Sequence, residues 1–376
     1  MEQKGHVIVS VTNDLVTDNR VDKVCRFLIS EGYTLTLVGR KLTGSKPVSD
    51  RNYKTKRFRL LFTKGPLFYL SFNFRLFLYL LFHKSTVLVA NDLDTLLANF
   101  LVSKLKSMKL VYDSHEYFTE VPELVENPRK QKIWQTLEEW IFPKLKNCYT
   151  VNDSIAKIYM QKYGISVKVI RNVAPNFMSL AIKTREDLGL PTDKFIIIIQ
   201  GSGINKRRGA EEAVQAMNYI EDALLLIIGS GDVIHDLKNQ VREDDLNDKV
   251  RFFPKMPYAE MMQYTMNADL GLAIDHTDVL NHKLALPNKF FDYIQAEIPI
   301  LATDITEVRA IIEKYDIGFV LEHELTDQTL AAKINEIKTG FLDQKEFLKE
   351  NLKKAKLSEN WENELIKLKE IYSNLN

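Results

Sequence analysis

The stretch "FIIIIQGSGINKRRGAEEAVQAM", residues 195–217, decides the reading of the chain. Its first part is a short apolar run rich in β-branched side chains, which predicts a strand. Gly201 and Gly203 follow with Ser202 between them, and glycine lets backbone approach a ligand closely. Lys206, Arg207 and Arg208 then stand at the mouth of a helix predicted over 209–217. The first amides of a helix have no partner within it and its dipole favours anions, so a guanidinium beside them would complete a diphosphate site. The bland alternative is a surface turn with solvated bases. The spacing fits neither the Walker loop, for want of a Lys-Ser/Thr pair after the glycines, nor the Gly-x-Gly-x-x-Gly dinucleotide fingerprint. An ATPase or a nicotinamide enzyme is thereby disfavoured.

Strand, loop and helix recur in both directions from this point. Downstream, "ALLLIIG", "VRFFP", "DLGLAI", "IPILAT" and "GFVL" alternate with helices predicted near 233–242, 258–266, 288–295 and 305–314. Upstream, "HVIVSV", "TLTLVG", "TVLVAND", "KLVYDSH" and "CYTV" alternate with helices near 18–30, 94–106 and 129–146. Such alternation predicts parallel sheets covered by helices on both faces, here twice in series. The join falls in 169–194, where Asn172, Pro175, Asn176 and Pro191 break any continuous element. Residues 341–375 read as two helices split around "KLSENW", with Ser358 as N-cap of the last. The expected domains are 1–174, 175–357 and a closing helix, 358–376.

Composition agrees with two folded domains: 376 residues, 45% apolar and 27% charged. Cys25 and Cys148 lie far apart without partner spacing, so neither a disulfide framework nor a zinc site is expected. The N-terminal "MEQKGHVIVSVTND" lacks the pattern of a signal peptide, and a cytoplasmic location is expected. Net charge is +1, but residues 1–180 hold 27 Lys and Arg against 16 Asp and Glu, while 181–376 hold 24 against 34. The first half either faces something anionic or simply carries solvated bases.

In open α/β sheets ligands bind beyond the carboxyl ends of the strands. The loops at those ends are 12–20, 90–94, 113–120, 200–209, 229–232 and 275–289. They hold Asn13, Thr17, Arg20, Asp94, His115 and Glu116 in the first half and Gly231 in the second. The last loop leads into "LALPNKFFDYIQA", residues 284–296. Proline suits a first helical turn, and the amides of Asn288, Lys289 and Phe290 are expected to point outward, with Lys289 adding positive charge. Asp292, a turn deeper, either accepts two adjacent hydroxyls, as ribose offers, or complements the helix dipole.

The pairing of "GSGINKRRG" with "LPNKFFDYIQAEIPILATD" resembles the donor-binding half of the retaining glycosyltransferases of family 4, and "VTNDLVTDNRVDKVCRFLISEGYTLTLVGR" with "KLVYDSHEYFTE" resembles the acceptor-binding half of a subgroup found in bacterial surface-polysaccharide clusters. The similarity runs from about residue 6 to the last helix. It implies the GT-B fold: two doubly wound Rossmann-like domains facing across a cleft, with the last helix returning to the first. By position, the resemblance casts Arg208 as the neutraliser of the donor diphosphate, Asp292 as the holder of the ribose, and His115 as the histidine near the transferred sugar. Leu286, Pro287, Asn288 and Lys289 match the loop whose amides contact diphosphate and sugar hydroxyls. Gly201, Ser202, Gly203, Arg207 and Gly231 complete the donor-binding set. Three departures stand out. Leu284 replaces the first glutamate of the family pattern of two separated by seven residues, Asp292 replaces the second, and Ser202 stands where many members have a second base. Lys206, Arg207, Lys283 or Arg20 are candidates to replace the lost charge.

The implied chemistry is a retaining, same-face transfer in which the leaving phosphate helps accept the acceptor's proton. Arg208, Lys289 and helix amides would stabilise that phosphate without an obligatory metal or cofactor. His115 would orient or polarise. No paired carboxylates are placed as in a double-displacement glycosidase. The expected partners are a nucleotide-diphosphate sugar and a glycan or lipid-linked acceptor. Alternatives are a nucleotide-sugar epimerase of the same fold and an inactive sugar-nucleotide-binding protein. Finally, 40–59 carries eight basic residues against Asp50 alone, and "PLFYLSFNFRLFLYLLF" (66–82) follows closely. It is too short and polar for a confident membrane span. Residues 40–82 either lie at an anionic bilayer surface, making the protein peripheral on the inner face of the membrane, or form a buried helix. No base-reading motif is present, so no nucleic-acid partner is expected.

Overall fold

The computed structural model describes residues 4–16, 18–176 and 182–375. It divides into two compact units, residues 1–172 with 365–376, and residues 173–364. The joins expected at 174 and 358 thus fall at 172 and 364, and the last helix, Trp361–Ser373, is shared between the units.

Each unit is one parallel sheet. The first contains β1 (His6–Ser10), β2 (Thr34–Lys41), β3 (Lys54–Arg59), β4 (Val87–Asn91), β5 (Lys109–Ser114), β6 (Asn147–Thr150) and β7 (Val167–Val169). Among the described residues its order is β3-β2-β1-β4-β5-β6-β7. The second contains β8 (Phe195–Gly201), β9 (Ala223–Gly229), β10 (Val250–Phe253), β11 (Leu270–Ala273), β12 (Ile300–Thr303) and β13 (Gly318–Leu321), in the order β10-β9-β8-β11-β12-β13. The central strands are buried on both faces, as a sheet with helices on each side requires. In each sheet the chain reverses its direction of winding once, between β1 and β4 and between β8 and β11. Loops leaving such neighbours diverge and open a crevice, so these two points select the places where ligands bind.

Several elements differ from the sequence reading, each for a local reason. The basic run 40–59 contains a strand, β3, on the sheet edge. Its Lys54 and Lys56 face solvent while Phe58 turns inward, and a charged edge resists pairing with other chains. The helix expected over 129–146 is Pro128–Ile141 with a 3-10 turn, Phe142–Lys144, because Pro143 has no N–H to continue the helical hydrogen-bond ladder. The closing helices are Asp327–Ser358 and Trp361–Ser373. Ser358 therefore ends a helix and caps none; Asn360 Oδ1 accepts the Asn363 amide at 3.0 Å and takes that role.

The helix Asn288–Ala296 is fixed by one interlock. Gly271 on β11 leaves room for the Tyr293 ring, whose Cγ would lie 2.5 Å from any added Cβ. The Tyr293 hydroxyl reaches the carbonyls of Ile198 and Leu272 at 3.2 Å each. Asp292, the residue before it, is thereby set at the carboxyl end of β8.

Candidate active site

In the second unit the loops after β8 and β9 lie backbone on backbone. Ser230 N donates to Gly201 O and Ile204 N to Ser230 O, both at 3.1 Å. A Cβ on Gly231 would lie 1.8 Å from Ile204 O, so only glycine fits there. Gly203, in contrast, borders open space, and Ser202 is exposed. Gly209 has φ +76°, and its Cβ position is 2.2 Å from Ile274 O. This close approach brings Arg208 to the end of β11, where its Nη1 lies 3.3 Å from Asp275 Oδ2. Lys289 Nζ comes within 3.8 Å of Asp275 Oδ1 from the helix Asn288–Ala296.

Asp275 is 1% exposed, and among the described residues no hydrogen bond of good geometry reaches either of its carboxylate oxygens. It holds Arg208 and Lys289 chiefly by charge. Burial lowers the Lys289 pKa and Arg208 lowers it further, against the opposing pull of Asp275. An anion placed beside these two bases would relieve both effects. Asp292 accepts from Tyr258 Oη at 2.5 Å and from Gln200 Nε2 at 3.0 Å. Gln200 is itself fixed by Thr265 Oγ1 at 2.5 Å. Burial, then Asp292, raises the Tyr258 pKa, so the phenol keeps its proton and acts as donor.

One donor-side expectation needs correction. The Phe290 amide does not point outward; it donates to Pro287 O at 3.0 Å, tightening the first turn. Arg207 forms an ion pair with Asp278 and is exposed. Leu284 is buried and its amide closes the short helix Leu280–Lys283 on Leu280 O at 3.1 Å. Leu286 and Pro287 are half-buried and Asn288 is exposed at the helix start.

In the first unit the crevice between β1 and β4 is crossed by Thr12 Oγ1, which donates to Asp94 Oδ2 at 2.6 Å. Burial and the neighbouring Asp92 raise Asp94 to about 7 despite that bond. His115 follows β5. Its Nδ1 lies 3.3 Å from Asp92 Oδ2, and its Nε2 lies 3.3 Å from Asp113 Oδ2 and 3.1 Å from Asn91 Oδ1. Burial disfavours charge on the ring, but Asp92 and Asp113 outweigh it and raise the pKa to about 9. Asp113 is fully buried. Burial opposes its charge, yet Arg20 and His115 hold it at about 2. Asp92 has φ 57° and ψ 166°, a backbone region that strongly favours glycine. Its Oδ1 accepts the His115 amide at 2.8 Å. Asp92 thus serves ring and backbone of one histidine, which accounts for a conformation costing about 1–3 kcal/mol.

Arg20 is corrected here. It is 4% exposed, paired with Asp113 Oδ1 at 2.7 Å and with Ile170 O at 3.0 Å, so its charge goes to supporting Asp113. Asn13 shapes its loop, accepting from Leu15 N at 2.9 Å and donating to the cap residue Asp18 at 2.6 Å. Glu116 is half-buried, its carbonyl held by Ser114 Oγ at 2.9 Å. Thr17 lies outside the described residues. Asp92, Asp113, Gln200, Tyr258 and Asp275 were not singled out from sequence, although Asp92, Asp113, Gln200 and Asp275 stand in the post-strand loops read there.

Residues 18–174 match the model for Glycosyltransferase Family 4, and residues 181–355 match that for glycosyl transferases group 1. The chain is a family 4-like glycosyltransferase. The first matched segment holds Asp92, Asp113 and His115, and the second holds Arg208, Asp275, Lys289 and Asp292. No curated protein matches by sequence. Among solved structures, sucrose-phosphate synthase from Thermosynechococcus elongatus superimposes with a TM-score of 0.80 at 15% identity, covering 98% of both chains. HepE from Anabaena in complex with UDP-glucose gives 0.70 at 14%, covering 98% of this chain and 100% of that one. WaaG, a glycosyltransferase involved in lipopolysaccharide biosynthesis, gives 0.64 at 14%, covering 93% and 94%. At such identity the likeness is one of fold, and that fold is the GT-B fold of glycosyltransferases.

Proposed function

We propose that this glycosyltransferase moves a hexosyl or hexosaminyl group, with retention, from a nucleotide-diphosphate sugar to a glycan or lipid-linked acceptor in envelope or capsular polysaccharide assembly. One observation supports the donor half most directly: Arg208 and Lys289 converge on a single buried carboxylate, Asp275, beside a glycine loop open to solvent. Two bases against one acid leave an anion site at the switch point of the sheet. In the reaction the bond from the anomeric carbon to a diphosphate oxygen breaks, and the acceptor oxygen bonds on the same face. Its proton passes to the departing phosphate. Arg208 and Lys289 stabilise the charge that develops there. Asp292, oriented by Tyr258 and Gln200, holds the ribose. His115 already carries its proton at neutral pH, so it donates a hydrogen bond and is unsuited to accept the acceptor's proton. The retaining course rests on the family 4 resemblance. The polysaccharide role draws on that resemblance and on WaaG, and UDP as a probe on HepE.

Calorimetry with UDP and with UDP-, GDP-, ADP- and dTDP-sugars tests this. Arg208→Ala should weaken binding roughly 10–100-fold, the worth of a hydrogen bond to a charged group, and Arg208→Lys should recover part of it. Binding without transfer or hydrolysis would indicate a protein that has lost catalysis. If no nucleotide binds, or Arg208→Ala binds as tightly as the native protein, the donor site is elsewhere.

A further inference from the structure

The helix Gly65–Phe82 has two apolar faces. Phe68, Phe72, Leu76 and Leu80, spaced by four, pack into the core with Phe58 and Leu88. Leu67, Leu70, Phe74, Leu78 and Phe82 recur at helical spacing on the opposite side. Leu70, Phe74 and Phe82 are 67%, 62% and 77% exposed. Leu61 and Phe62, in the loop before the helix, are exposed as well. A helix anchored to a sheet gains nothing from a second apolar stripe unless that stripe meets an apolar medium.

Charge identifies the medium. From residue 51 to residue 91 the chain holds eight Lys and Arg and no Asp or Glu. Lys64 stands at one end of the exposed stripe and Lys84 at the other, with Lys54, Lys56 and Arg59 on β3. A second copy of the chain meeting this face by two-fold symmetry would set the same cations against each other. A bilayer with anionic headgroups complements both features, taking the stripe into its interface and the ammonium groups into its surface potential. The 18-residue helix is about 27 Å long, near the thickness of a bilayer core, yet it does not span one. Its other face is packed on an open sheet whose polar edges cannot enter hydrocarbon.

We infer that the exposed stripe of Gly65–Phe82, flanked by Lys64 and Lys84 and the basic strand β3, is the surface by which this protein docks in plane on an anionic membrane. This goes beyond sugar transfer and does not depend on it. For an acceptor carried on a lipid, such docking would hold the first unit beside its substrate.

The test is flotation of the full chain with phosphatidylcholine–phosphatidylglycerol vesicles and with phosphatidylcholine vesicles alone. No donor sugar is present, so failure here is separate from failure of nucleotide binding. The native protein should float with the anionic vesicles and progressively less as salt is added. Leu70→Ser/Phe74→Ser/Phe82→Ser should cut partitioning about tenfold or more. Lys64→Gln and Lys84→Gln should each cut it about fivefold. These side chains are exposed, so the variants should melt as the native protein does, and Leu342→Ser, at an exposed site in the other unit, should float normally. The inference is overturned if the native protein stays unbound, if the triple variant floats as well as the native, or if both vesicle types bind equally. Sedimentation as a dimer that the triple variant dissolves, without vesicle binding, would assign the face to a second copy and overturn it equally.

Discussion

Replacing Asp92 by Asn isolates the charge that sets His115. Asn is isosteric with Asp and retains the oxygen that accepts the His115 amide at 2.8 Å, so backbone geometry should survive. What is lost is one carboxylate, 3.3 Å from Nδ1. In the native protein His115 titrates at about 9 against an ordinary 6.5, a span of about 2.5 pH units, worth at most about 3 kcal/mol of stability. Because the folded value is the higher, this stabilisation is complete below the unfolded value and is lost as pH rises through about 9. Removing a close opposite charge moves a pKa by about 1–3 units, so the variant's His115 should titrate at roughly 6–8. Each unit lost should cost about 1.4 kcal/mol of the stability that the charge supplies at neutral pH. The assay is a two-dimensional NMR titration of the histidine Cε1–H signals, assigned with His115→Gln, together with denaturant melts at neutral and alkaline pH. A native His115 titrating near its ordinary value, or a shift in the variant below about half a unit, would refute the pairing.

Two further predictions concern the donor side. Gly231→Ala forces a Cβ to within 1.8 Å of Ile204 O and should cost about 1–3 kcal/mol in melts, while Gly203→Ala, with nothing within 4 Å, should stay within about 0.5 kcal/mol of native; equal losses would count against the backbone-on-backbone loop. If Asp292 holds ribose, the native protein should bind UDP more tightly than its 2′-deoxy analogue, Asp292→Ala should erase that preference, and Tyr258→Phe should reduce it by weakening the carboxylate's orientation. Indistinguishable binding of the two nucleotides by the native protein removes the role.

Much of the fold was legible because its signals are local. Strand runs such as "FIIIIQG" and "ALLLIIG" declare themselves by composition, and the helices Tyr258–Met266 and Asn288–Ala296 by Pro257 and Pro287 just before them. The edge strand β3 was hidden because its solvent-facing residues are the bases that also mark a solvated loop. The cap at Asn360 was missed in favour of Ser358 because both residue types cap helices, and only the path of the chain chooses between them.

At the site the division is sharper. Sequence alone determined that Arg208 stands at a helix mouth after a glycine loop, that Pro287 opens the helix carrying Lys289 and Asp292, and that His115 follows a strand. These are properties of neighbours along the chain. Tertiary structure alone decided the partners. It placed Asp275 between Arg208 and Lys289, closed Asp113 on both Arg20 and His115, set Tyr258 on Asp292, and turned one stripe of Gly65–Phe82 inward and the other outward. The physical reason is strand order: β1 beside β4 and β8 beside β11 bring together groups distant in sequence, and a carboxylate's pKa and reach depend on which of those groups it meets.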